Sequence, residues 1–154
     1  MLSNRSPIYD TLLIVHVLVG MLGYGAVIFS GVFSRKLLRE GPSASTRKYF
    51  DGSPNIPGMF IGLVPVFGVL VLLIGKGNLR DLTKGWFDLA VTIWVVSAAV
   101  AFMRVFPPER KLYLALEENS DNVGTLAKSI SRASGLCSVL YVAAFYLMLF
   151  KPRF

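Results

Sequence analysis

Four apolar runs, at about 8–33, 56–75, 86–106 and 133–150, decide what this chain can fold into. Each is close to or above the roughly 20 residues that an α-helix needs to cross the hydrocarbon of a bilayer. Inside hydrocarbon the protein must pair every backbone N–H and C=O itself, and runs of about 20 apolar residues do so as α-helices. The sequence therefore predicts an all-α fold, a four-helix antiparallel transmembrane bundle with short amphipathic cytoplasmic connections. The runs use more than half of the 154 residues, so a single integral membrane domain over 1–154 is expected. With 54% hydrophobic and 16% charged residues, a water-soluble globular domain is not expected.

Each run has marked ends. The first is closed by Ser34, Arg35 and Lys36; it is too long for a signal-peptide core and lacks both a basic leader and a small-residue cleavage site, so it is expected to stay in place. The second opens on Asn55-Ile56-Pro57, where a proline in the first turn loses no hydrogen bond. Pro65 lies mid-span and predicts a kink near 61–65. Pro107-Pro108 is expected to stop the third run, and Lys151-Pro152 the fourth. Pro-Pro-Glu then reads as the start of a short amphipathic helix carrying Leu112, Leu114 and Leu116, and Gly124-Thr125 as an early start of the last helix.

The net charge of +7 would suggest nucleic acid on a soluble protein. On a membrane protein it reflects loops facing anionic headgroups, so no nucleic acid is expected as a partner. Ten of the 16 Lys and Arg fall on the two longer connections, counting Arg104, and six on the termini and the short connection. The bias predicts a multi-pass protein of the inner (plasma) membrane with both termini outside.

An ionisable side chain in hydrocarbon costs about 2.5–3.5 kcal/mol on insertion scales, so each one within a span asks for a reason. Asp10, His16 and Asp88 fall in the same outer half and form a candidate polar cluster; Arg104, at the inner boundary, can snorkel. His16 is the one histidine. It can serve as a neutral side chain bonded to a carbonyl or hydroxyl across a helix interface, or as a haem or copper ligand. Bis-histidine haem within one chain is excluded, whereas a His/Met pair with Met21, Met59, Met103 or Met148 is not. One cysteine, Cys137, and scattered methionines make a poor copper set. Asp10 and Asp88 also suit first helical turns, where the macrodipole favours acids.

Small residues mark packing faces: Gly20 and Gly23 on the first helix, Gly58 and Gly62 as a GxxxG on the second, and Ser97 with Ala101 on the third.

The pattern His16-Val-Leu-Val-Gly20-Met-Leu-Gly23-Tyr24-Gly25, with Tyr146-Leu-Met148-Leu-Phe150-Lys151-Pro152 near the end, resembles a family of small bacterial four-helix integral membrane proteins of unknown function. More distantly, a helix-1 histidine followed by a small residue and an aromatic-Gly pair is similar to copper-resistance D-type proteins and to haem membrane proteins of the protoporphyrinogen-oxidase type. That resemblance implies a ligand role for His16; the chain has no second histidine.

With few converging polar groups, the sequence points first to a non-enzymatic accessory or scaffold subunit of a larger membrane complex, held in the bilayer against other membrane subunits or its own copies. The alternative is a haem- or copper-associated redox protein centred on His16.

Overall fold

The computed structural model describes residues 6–75 and 82–152. Four of its helical rods are long and apolar enough to cross a membrane, so the chain is a multi-pass, all-α membrane protein. The first rod, α1 (Pro7–Glu40), starts with Pro7 in its opening turn and ends at Gly41, whose φ of 75° stops the helix. It runs beyond its apolar stretch because Leu37 still faces inward while Lys36 and Glu40 pair outside. A short helix, α2 (Ala44–Tyr49), follows, opened by the reciprocal capping of Ser43 and Thr46.

The second rod is broken. α3 (Ile56–Met59) is capped by the Asn55 side chain, Phe60–Leu63 tightens to a 3-10 helix, and α4 (Val64–Ile74) resumes the α-helix around Pro65. In the third rod, α5 (Gly85–Val100) passes through a π-helical turn, Ala101–Val105, into α6 (Phe106–Glu117). The expectation that Pro107-Pro108 stops this rod does not hold. A proline ring collides with the carbonyl four residues back, here those of Met103 and Arg104. Both lie in the wider π turn, which accommodates the rings and lets the helix continue. The last rod, α7 (Val123–Phe150), begins well before its apolar run, burying Ala127 and Ile130 while Lys128 and Arg132 stay outside.

The buried core lies where α1, the 3-10 segment, the π turn, α6 and α7 meet, around Val27, Ile61, Val105, Leu112 and Ile130. Large apolar side chains such as Ile14, Leu73, Val139 and Phe150 cover the outside, a surface suited to lipid and not to water.

The small-residue faces serve this interior. A methyl group at Gly23 would lie 2.6 Å from the Ile61 backbone nitrogen, and one at Gly58 2.7 Å from the Phe106 ring. Ser97 and Ala101 are fully buried, and Cys137 on α7 donates to the Ser97 carbonyl at 3.6 Å. Gly20 and Gly62 are looser, with ordinary contacts of 4.0 and 3.9 Å. A closer approach joins α1 to α7, where a methyl group at Gly31 would meet the Ser134 Cβ at 2.7 Å and Tyr24 stacks on Tyr141.

Candidate functional site: a histidine-walled cavity

Pro65 shapes the site by what it lacks. Without an N–H it cannot bond the Ile61 carbonyl one turn back. That carbonyl instead accepts from the Val64 N–H of the 3-10 turn and from Trp94 Nε1 on α5, at 3.0 Å. The neighbouring Val64 carbonyl accepts from His16 Nδ1 on α1, also at 3.0 Å. Gly68, one turn further, leaves the imidazole its space: a methyl group there would stand 3.2 Å from His16 Cε1. One proline and one glycine on the second rod thus fix the ring of the chain's single histidine.

A carbonyl only accepts, so the Nδ1 of His16 carries the hydrogen and the neutral ring keeps its lone pair on Nε2. Histidines that bind metal through Nε2 are commonly oriented by a second bond of this kind. The same bond also satisfies an imidazole that serves only as an interhelical contact.

His16 forms part of the wall of a cavity of about 450 Å³ near the end of the bundle that carries the termini. Its lining is mostly apolar, from Pro65, Val71, Leu72, Phe87 and Trp94, with Met148 on the same wall. Trp86 and Lys151 stand on the same lining, with Tyr9. Trp86 is buried, and its Nε1–H has no hydrogen-bond partner among the described residues. Lys151 borders the cavity, its Nζ 5.2 Å from the centre of the Trp86 ring. A buried donor left unsatisfied costs about 1–3 kcal/mol, which an acceptor on a bound molecule would recover.

The predicted polar cluster does not converge on this wall. Asp10 and Asp88 are exposed, each in the first turn of its helix, and neither lines the cavity. Arg104 is exposed in the π turn. Of the methionines weighed as partners, Met148 alone shares the wall with His16; Met59 and Met103 are exposed and Met21 borders a different cavity. Cys137 is buried away from it. Among the described residues no three His, Cys, Asp or Glu side chains come together as a metal site.

At the other end of the bundle lies a polar network that sequence reasoning missed. Ser30 Oγ on α1 lies 3.0 Å from the Tyr49 hydroxyl and accepts from Asn55 Nδ2 at 3.2 Å. Asn55 Nδ2 also reaches both carboxylate oxygens of Glu109 at 3.3 Å, while its Oδ1 caps α3 at the Gly58 N–H. Glu109 stands three residues beyond the third apolar run. Burial raises the Tyr49 phenol above its ordinary value, against the hydrogen bond with Ser30. The network borders a second cavity of about 490 Å³. Its signals in sequence, a polar Asn before Ile-Pro and a Glu after Pro-Pro, look like helix starts alone.

Comparison with protein-family models, curated proteins and solved structures finds no match to this chain.

Proposed function

We propose that the protein is a membrane-embedded haem-binding accessory protein, with His16 Nε2 as the iron ligand. The observation that carries this reading is the His16 cavity itself: a mostly apolar chamber whose imidazole is held by a backbone carbonyl through Nδ1, with no partner on its other nitrogen among the described residues. The donor set suits haem on two counts: His16 would supply an imidazole to the iron, and the unpaired Trp86 Nε1–H with Lys151 would suit the acidic edge of a tetrapyrrole. Haem held there supplies a one-electron couple. The chain's part is to orient the imidazole through Val64, to hold the acidic edge and to exclude water with its apolar walls. Copper draws less support, since no three His, Cys, Asp or Glu side chains gather among the described residues.

The scaffold reading draws less support, because the tightest of the small-residue faces meant to hold partners are engaged within the bundle. In the proposed orientation the termini, and with them the His16 cavity, face outward from the inner membrane, and both longer connections lie in the cytoplasm.

The test is a haem titration of the purified protein in mild detergent, read by absorbance. Saturable one-to-one binding with a shifted Soret band is expected, lost in His16→Ala and weakened in Gly68→Val, whose side chain would displace the ring. Wild type and His16→Ala giving the same titration would overturn the proposal.

A further inference from the structure

The π turn at Ala101–Val105 has a second consequence on the opposite end of the bundle from the His16 cavity. It carries Arg104 against the start of α7, where Thr125, Lys128, Ser129, Arg132 and Ala133 recur at helical spacing along one face. These six residues line an open depression of about 360 Å³. Three of them are cations and two are hydroxyl donors, and no acidic side chain lines it. These three cations make no ion pair among the described residues; Lys36–Glu40 and Arg47–Glu117 are pairs elsewhere. Three like charges facing one hollow without a counter-charge repel each other, and a bound anion would reverse that cost.

The face continues in a way that identifies the anion. One and two turns beyond Arg132 on the same stripe of α7 stand Leu136 and Val139, 48% and 67% exposed, and Met103 beside Arg104 is 66% exposed. Charge at the rim and a bare apolar wall below match a phosphate headgroup with an acyl chain attached. A free anion makes no use of that wall.

We propose that this depression is a binding site for an anionic phospholipid, its phosphate held by Arg104, Lys128 and Arg132 with hydrogen bonds from Thr125 and Ser129, and its acyl chain laid along Leu136 and Val139. The site is separate from the His16 cavity, shares no residue with it, and does not depend on haem.

The full chain purified in mild detergent is titrated with phosphatidylglycerol and with phosphatidylcholine, and retained lipid is counted by native mass spectrometry. Phosphatidylglycerol should be retained at least about tenfold more tightly. Each of Arg104→Gln, Lys128→Gln and Arg132→Gln should weaken it about fivefold, the share of one basic residue near an anionic surface. Lys36→Gln with Arg39→Gln, another basic pair on this side of the bundle, should leave it unchanged. Glycerol phosphate at the same concentration should not displace the lipid. Equal retention of both lipids, wild-type retention in all three single variants, or displacement by glycerol phosphate would overturn the assignment, the last in favour of a soluble phosphate ligand. Single neutralisations of exposed side chains keep the fold, and helix content by circular dichroism verifies this for each variant.

Discussion

Three glycines on α1, two and three residues apart, should respond to the same substitution in opposite directions. At Gly23 an added methyl group would lie 2.6 Å from the Ile61 nitrogen and 2.9 Å from its Cγ1. The nitrogen belongs to the backbone and cannot rotate away. Restoring an ordinary contact requires α1 and the 3-10 segment to separate by about 0.8 Å, and overpacking of this kind costs about 1–3 kcal/mol. At Gly25 nothing stands within 4 Å of the new methyl group, and at Gly20 only Val64 Cγ2 at 4.0 Å. There alanine gains helix propensity, up to about 1 kcal/mol. Gly23→Ala and Gly25→Ala should therefore differ by about 2–4 kcal/mol in stability. The assay is reversible unfolding in mixed micelles, followed by circular dichroism and by tryptophan fluorescence. Fluorescence adds a second reading, because Ile61 is bonded to Trp94, so strain at Gly23 should alter the Trp94 emission before global unfolding. Gly23→Ala as stable as Gly20→Ala, or Gly25→Ala as harmful as Gly23→Ala, would refute this account of α1 packing.

Two further outcomes are expected. Trp94→Phe keeps an aromatic ring, though a smaller one, and removes the donor that replaces the missing N–H of Pro65; the lost hydrogen bond should cost about 0.6–1.7 kcal/mol, the mean to the maximum for interhelical hydrogen bonds in membranes, and Pro65→Ala should recover part of the loss by restoring a backbone donor to Ile61. Glu109→Ala leaves Asn55 Nδ2 bonded to Ser30 alone and should lose about 0.5–1.5 kcal/mol in the same unfolding assay; stability equal to the wild type would show that the network is not closed as described.

The four rods were legible because length and apolarity alone dictate them, and Pro65 announced the break in the second. What local sequence hid depends on compensation from elsewhere. Pro107 and Pro108 look like a stop until the π turn before them is known, and no composition signal marks a π turn. His16 was recognisable as an intramembrane imidazole, but its partner, the Val64 carbonyl, is a backbone atom 48 residues away. Asp10 and Asp88 share the outer half of the spans with His16, yet a shared half fixes neither depth nor azimuth around a helix, and both are exposed in first turns. Gly31 escaped notice because its close neighbour, Ser134, lies on the last helix. The Ser30, Tyr49, Asn55 and Glu109 network draws one residue from each of four segments, so no stretch of chain displays it.

Haem in the His16 cavity would show in the absorbance spectrum of the protein isolated from its native membrane in mild detergent. A Soret band is expected in the wild type, and His16→Ala should remove it while both proteins keep the same helix content. A wild-type spectrum with no Soret band, from a folded protein prepared with haem available to the cells, would contradict haem binding there.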